Sequence, residues 1–158
     1  MKKEKLQKIL ELHKKWLNNN PDGIQANLKN VDLRDTNLKN VNLSKANLYR
    51  VNFEWSNLQG ANLSETNINI CNLENCNLKN VNLSNANLHI CNLQKVNLNN
   101  ANLENSHLNT VNLFGSNLKE VNLKNANLHA VDLMYANLKD VNSKGINLKY
   151  VTLYKFKK

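Results

Sequence analysis

The pair Asn-Leu recurs every five residues from Ala26 to Lys155, without an insertion or a deletion. This register holds for 26 consecutive pentads. The Leu position carries Leu in all but three of them, which have Phe53, Ile68 and Ser143, and the preceding residue is Asn in 22. The residue two before the Leu is small or β-branched, and nearly all the charge lies in the two residues after it. A repeat this regular constrains the fold more than any other property of the chain.

Neither regular secondary structure buries residues that recur with a period of five. Five steps along an α-helix turn about 140°, so the Leu side chains would scatter around it. Five steps along an unbroken strand place successive Leu side chains on opposite sides. The pattern fits a three-residue strand followed by a two-residue corner that resets the phase. Such a chain winds into a coil whose turns pair as parallel strands about 4.8 Å apart, so the repeat predicts an all-β solenoid.

With this pattern the chain resembles the pentapeptide-repeat family, whose consensus is A-(D/N)-L-x-x, over residues 26–155. The resemblance implies a right-handed quadrilateral parallel β-helix with four pentads per coil. The expected domains are an N-terminal capping helix and turn at 1–25, a β-helix of about six and a half coils at 26–155, and a C-terminal tail at 156–158. Small residues fill the second inward position, and the Asn side chains stack between coils as amide ladders.

Residues 3–19 have a helical period instead. A solenoid has an apolar end that needs a cap, and we expect this amphipathic helix to supply it. The expected capping residues are Leu6, Ile9, Leu10, His13, Trp16 and Leu17. Six lysines on the polar side leave a membrane-surface helix as the alternative.

The cysteine pattern and the lack of targeting signals indicate the compartment. Cys71, Cys76 and Cys91 occupy inward positions, and their parallel directions and odd number predict buried free thiols, with no disulfide and no zinc site. The lysine-rich start lacks the apolar segment of a secretion signal, and no segment is long enough to span a bilayer. We therefore expect a cytoplasmic protein without a membrane partner.

Catalysis has no support in the sequence. The chain lacks a glycine-rich phosphate loop and a nucleophile motif such as G-x-S-x-G. With four glycines, one proline and an uninterrupted repeat, no loop is available to form a lid or a pocket. We expect a protein that is not an enzyme and that has no cofactor and no metal.

Residues twenty apart stack when a coil holds four pentads, so the residues after each Leu form four surfaces. We call the surface that contains Phe114 the aromatic face. Its N-terminal half is largely charged apart from Trp55, and its C-terminal half is apolar. We expect the apolar half to be a homodimer or partner interface, and the alternative is that the tail 154–158 folds back over it. The candidate interface residues are Phe114, Met134, Tyr135, Tyr154 and Phe156.

A second surface, the lysine face, carries four lysines in one column: Lys39, Lys79, Lys119 and Lys139. A row of lysines can neutralise a phosphate backbone. However, Glu120 and Asp140 flank its C-terminal half, and no aromatic residue interleaves it. The sequence therefore favours a solvated surface over a nucleic-acid site. The fourth surface, the serine face with Ser44, Ser64 and Ser84, suggests only solvation.

The third surface, which we call the acid-free face, contains the pentads of Leu28, Leu48, Ile68 and their successors and has no Asp or Glu. His89 and His129 lie two coils apart, roughly 10 Å, with His107 offset between them. Metal binding needs tighter convergence. The face favours surface histidines without a role, and a weak anion-accepting or protein-binding surface is the alternative.

The function that fits best is a rigid rod that presents a face to a protein partner, whose identity the sequence does not give. The family resemblance adds a second reading, because some members protect type II topoisomerases by mimicking DNA. That mimicry requires an acidic surface, and this chain has a net charge of +9. A third reading is weak nucleic-acid or anion binding, which would be strongly salt-dependent.

Overall fold

A computed structural model describes residues 1–153 of the chain. One helix, α1 at Lys3–Leu17, precedes seven three-residue strands. The strands form one parallel sheet in the order β1 to β7. Their bounds are β1 Asn27–Lys29, β2 Asn47–Tyr49, β3 Asn67–Asn69, β4 Asn87–His89, β5 His107–Asn109, β6 Asn127–His129 and β7 Asn147–Lys149.

A constant offset of twenty residues relates each coil to the next. In the sheet, Leu28 pairs with Leu48. On the other three sides, isolated parallel bridges join the coils with the same offset, as between Asp32 and Asn52. Each coil thus has four sides and four pentads, and the acid-free face is the side that forms the sheet. The predicted right-handed quadrilateral β-helix with an N-terminal helix is confirmed.

The interior holds the Leu position and the position two residues before it. Every residue at the Leu position from Leu28 to Leu133 is buried, including Phe53. Most hydroxyls at the second inward position donate to backbone carbonyls, as Ser116 Oγ does to the Leu93 oxygen at 2.7 Å, and Ser56 Oγ lies 3.4 Å from Cys76 Sγ. The core therefore accepts these small polar side chains without an unpaired buried group.

The Asn before each Leu has two roles. Amide ladders run between coils, as from Asn142 to Asn122 and from Asn122 to Asn102 at 2.9 and 3.0 Å. On three faces the same Asn also accepts the backbone N–H two residues later, as Asn117 Oδ1 does from Lys119. Among residues 1–153 this second bond is not found on the acid-free face. His107 replaces Asn on that face, where the corner does not need the bond.

Every corner uses a left-handed backbone conformation at the second residue after the Leu. From Asn30 to Tyr150 these residues have positive φ. Asn, Asp and Gly tolerate this conformation best, and they fill many of the corners. β-Branched residues tolerate it least, and three of them occur in succession on the acid-free face: Ile70, Ile90 and Thr110.

Helix α1 covers the first coil. Leu6 belongs to the buried core, and Ile9 and Leu10 pack against it partly buried. His13 is fully buried: its Nδ1 accepts the Ala26 N–H, and its Nε2 lies 3.0 Å from the Ser44 carbonyl oxygen. Nδ1 as the acceptor makes Nε2 the donor, so the ring is neutral. Burial lowers the pKa of His13, although the bond to Ser44 opposes that shift.

The opposite end of the described rod is open. Leu138, Leu148 and Leu153 are 38%, 50% and 47% exposed. Ser143, which stands at the Leu position, is exposed in this last coil. The pentad position therefore gives burial only where another coil stacks above it.

The three cysteines are buried free thiols, as predicted. Burial raises the pKa of Cys76 to about 11 and that of Cys91 to about 12. Cys76 Sγ lies 2.8 Å from the Phe53 carbonyl oxygen, so its thiol proton has an acceptor. These thiols stay neutral and unreactive as inward-facing core groups.

Candidate functional site

The apolar half of the aromatic face is built on the corners of two successive coils. Phe114 and Met134 are half-buried there, and Tyr135 is half-exposed. The rings of Phe114 and Tyr135 meet edge to face with centroids 5.1 Å apart. Side-chain hydrogen bonds fix the backbone at these corners. The Met134 N–H donates to Asp132 and the Phe114 N–H donates to Asn112, both at 2.9 Å. The structure thus brings together three of the five candidate interface residues.

The remaining two, Tyr154 and Phe156, lie outside the described residues, as does the tail that would fold back over the patch. The patch instead continues into the open end of the described rod. Leu133 directly precedes Met134 and lines a depression of about 250 Å³ at that end. Exposed Leu148 and Leu153 also line it. Tyr135 therefore lies one coil before the exposed leucines of the last described coil.

The N-terminal half of the same face has the opposite character. Asp32 and Arg34 form an ion pair at 2.7 Å, and the hydrogen bond from Arg34 lowers the pKa of Asp32 to about 2. Glu54 and Glu74 follow in the next coils. Trp55 is exposed beside them. One face thus changes from acidic to apolar along the rod.

The lysine face holds its four lysines on one side, twenty residues apart or in multiples of twenty. Lys119 pairs with Glu120 at 3.0 Å, and that bond lowers the pKa of Glu120. The column is therefore partly neutralised at its C-terminal half. This arrangement resembles an ordinary solvated surface more than a phosphate track.

The acid-free face spreads its histidines over several strands. His89 pairs with Asn109, which in turn pairs with His129, so those two histidines are separated by a whole strand. Residues 1–153 contain no group of three or more His, Cys, Asp or Glu that could hold a metal ion. The His129 ring instead meets Tyr150 edge to face at 5.4 Å.

Cations on this face lie against tyrosine rings. Lys29 Nζ and Arg50 Cζ are 5.6 and 5.1 Å from the Tyr49 centroid, and Lys149 Nζ is 5.2 Å from that of Tyr150. The sequence shows the residue types, but which ring each cation approaches depends on the twenty-residue stacking and on side-chain direction.

A groove between α1 and the first coil was not predicted from sequence. Its volume is about 630 Å³, and Leu10, Leu17 and Val41 contribute its apolar wall, with Lys14 and Glu11 beside them. The helical period of residues 3–19 indicates a packed helix, but it does not indicate where the helix stands away from the rod. No helix in the described part of the chain is both long and apolar enough to cross a membrane.

The fold is shared with solved pentapeptide repeat structures. HetL from the cyanobacterium Nostoc sp. strain PCC 7120, described as involved in heterocyst differentiation regulation, is 24% identical with a TM-score of 0.65, covering 83% of this chain and 69% of HetL. A pentapeptide repeat protein from the cyanobacterium Cyanothece 51142 is 28% identical with a TM-score of 0.61, covering 82% and 89%. One from the Arabidopsis thaliana thylakoid lumen is 23% identical with a TM-score of 0.60, covering 62% and 68%.

Comparison of the sequence with protein families identifies the family of the chain. The family described as pentapeptide repeats matches residues 26–64 and 111–149 with eight copies, and the pentapeptide repeat region matches residues 48–128. A search of curated proteins finds no match. The matched segments together run through the described coils, with the same period that orders the core. The chain belongs to the pentapeptide-repeat family.

Proposed function

We propose that the protein is a non-enzymatic interaction module: a rigid rod that uses the apolar half of its aromatic face and the adjoining end to bind another protein surface. The observation that carries this proposal is the presence of two apolar features in neighbouring coils, the Phe114–Tyr135 ring pair and the half-exposed Leu148 and Leu153. Isolated apolar residues on a surface are ordinary, whereas a contiguous patch is typical of an interface.

The partner that we propose first is a second copy of the chain. The open end exposes core leucines that, in every other described coil, are covered by the next coil. A second rod stacked on that end would cover them in the same way. Unsatisfied strand edges also favour pairing with another chain. The three unpaired buried thiols support a reducing compartment, and we place the module in the cytoplasm.

Light scattering coupled to size exclusion tests this proposal. We expect the wild type to have the mass of a dimer at micromolar concentration, and a Phe114→Lys/Met134→Lys variant to have that of a monomer. Two added charges in the patch must be desolvated if the interface forms. A Gln59→Lys/Ser84→Lys variant adds the same charge on the lysine face and the serine face, outside the patch, and it should remain a dimer. A monomeric wild type, or a dimeric patch variant, contradicts self-association through this surface.

Topoisomerase protection by DNA mimicry is not our proposal, because no observation favours it. The described acidic residues of the pentads are divided among three faces, and the chain as a whole carries +9. A gyrase supercoiling assay addresses it directly: we expect no change in supercoiling at micromolar protein.

A further inference from the structure

The corner between the acid-free face and the aromatic face carries a continuous line of side chains, one from each coil after the first, in which Asn30 holds this position. We call it the corner line, and it consists of Arg50, Ile70, Ile90, Thr110, Ala130 and Tyr150. The strands beside it keep the twenty-residue register. Successive members therefore lie about 4.8 Å apart along the rod. The line has a cation at one end, two isoleucines next to it and an aromatic residue at the other end.

The two isoleucines occupy positions that folding disfavours. Ile70 has a φ of 54° and Ile90 a φ of 52°, a left-handed conformation that is unusual for a β-branched residue. Both also expose apolar surface, at 38% and 48%. Neither belongs to the buried core. Asn or Gly would suit these corners better, so the stability of the free rod gives no reason for isoleucine here.

Cations at the two ends of the line are held in place but not neutralised. Arg50 lies over the ring of Tyr49, and Lys149 lies over the ring of Tyr150. None of the ion pairs found in residues 1–153 involves either cation. A guanidinium or ammonium group on a tyrosine face keeps N–H donors for a carboxylate.

We propose that the corner line binds an extended peptide that lies along the rod, with acidic residues at both ends and apolar residues between them. Arg50 and Lys149 are five coil spacings apart, about 24 Å, which an extended chain spans in about seven residues. The apolar centre of the peptide covers Ile70 and Ile90, and its terminal carboxylates pair with Arg50 and Lys149. The two surfaces adjoin at the last described coil, where Lys149 follows Leu148, but Ile70 and Ile90 lie four and three coils away from it, so the isoleucine variant tests the corner line independently of the apolar patch.

A peptide fits this line better than a nucleic acid does. A nucleic-acid strand places a phosphate on every nucleotide, so phosphates would lie against Ile70 and Ile90, which offer no donor. Nonspecific strand binding also relies on closely spaced cations and on stacking platforms along the groove. Here the cations are grouped at the ends of the line.

The probe is a fluorescein-labelled eight-residue peptide with Asp-Glu at each end and Val-Leu-Val-Ala in the centre, titrated with the full chain and followed by anisotropy. We expect saturable binding that weakens as salt is raised. A control peptide with Asn-Gln at each end should bind about tenfold more weakly, since it lacks the charge-assisted bonds.

Two variants separate the contributions of the isoleucines and of the cations to peptide binding. Ile70→Asn/Ile90→Asn should bind the acidic peptide about tenfold more weakly, and its thermal midpoint should rise because Asn tolerates the left-handed corner. Arg50→Gln/Lys149→Gln should weaken binding similarly and reduce its salt dependence. The matched control Lys79→Gln/Lys119→Gln removes two charges from the lysine face and should bind as the wild type does.

Opposite results on these measurements overturn the proposal. The proposal is wrong if the peptide does not bind saturably, if the isoleucine variant binds it as tightly as the wild type does, or if the lysine-face control loses as much binding as the Arg50→Gln/Lys149→Gln variant. Tighter binding of a twenty-base single-stranded oligonucleotide, retained by the isoleucine variant, would replace the peptide by a nucleic acid. If Ile70→Asn/Ile90→Asn raises the thermal midpoint and leaves peptide binding unchanged, the isoleucines destabilise the rod without contributing to binding.

Discussion

The two ends of the described rod differ in how they treat the same apolar core. At the N-terminal end, α1 places Leu6 in the core and seats a neutral His13 between two backbone groups. At the last described coil, Leu148 is half-exposed although it has the same pentad position as the fully buried Leu128. The comparison teaches that a pentad position sets the direction of a side chain, and that burial depends on the neighbouring coil.

Truncating the core contact of the cap has the largest expected effect. Leu6→Ala should lower the free energy of unfolding by about 3 kcal/mol, because it leaves a cavity at a buried site. Leu148→Ala at the open end, made in the monomeric Phe114→Lys/Met134→Lys background, should cost less than about 1 kcal/mol, because half of that side chain is already in water. Urea unfolding followed by circular dichroism measures both. Equal costs would mean that the two ends are equally covered in solution.

Replacing the buried histidine has the next largest effect. His13→Leu leaves the Ala26 N–H and the Ser44 carbonyl without their partner, and we expect a loss of about 2 kcal/mol by the same unfolding measurement. His107→Leu on the surface is the matched control and should stay within about 0.5 kcal/mol of the wild type. If His107→Leu lowers the free energy of unfolding as much as His13→Leu does, the two hydrogen bonds of His13 do not explain the loss.

A pH dependence follows from the same residue. Because burial lowers the pKa of His13 below its ordinary value of 6.5, the unfolded chain binds a proton at higher pH than the folded one. Stability should therefore be full above that value and should fall as pH drops below it. The carboxylates with lowered pKa, which are Asp32, Glu104 and Glu120, act only below the ordinary values of 3.8 for Asp and 4.5 for Glu.

Thermal unfolding between about pH 7.5 and about pH 5.5 isolates this histidine. The wild type should lose stability over that range, and His13→Leu should lose less. An equally steep decline in the variant would assign the pH dependence to other groups.

The smallest effect is expected at the open end. Ser143→Leu restores the consensus residue, yet in the monomeric Phe114→Lys/Met134→Lys background it should change the free energy of unfolding by less than about 0.5 kcal/mol, because the site is exposed there. In the wild-type background, where we propose that a second copy stacks on this end, the same change should add more than about 1 kcal/mol. Measurement at two protein concentrations distinguishes the two outcomes, since only stacking depends on concentration.

Most of the fold could be predicted because the period of five requires a coil to bury the Leu residues together, and the family resemblance implied the four pentads per coil. The repeat also predicts the buried thiols and the amide ladders, which depend on the stacking alone. It does not predict that Asn117 caps a corner whereas Asn87 does not, because that difference arises from the backbone of each side. The same is true of Ile70 and Ile90, whose left-handed backbone is a property of the corner.

The candidate site was predictable only in part. Phe114 and Tyr135 meet as their positions suggest. The exposure of Leu148 in the last described coil could not be predicted, because a strictly periodic sequence gives every Leu position the same environment. His13 entered the predicted cap as one position of an apolar stripe, and its two hydrogen bonds need the relative placement of α1 and the first coil.

The constant twenty-residue register has a consequence for how such a rod changes length. Inserting one whole coil would lengthen it by about 4.8 Å and leave every face aligned. Inserting a single pentad would turn everything beyond it by a quarter of a revolution, so that Phe114 and Met134 would move to a different side from Glu54 and Glu74. Separation between contact points along this protein can thus be adjusted in steps of one coil, whereas their relative direction changes in right angles.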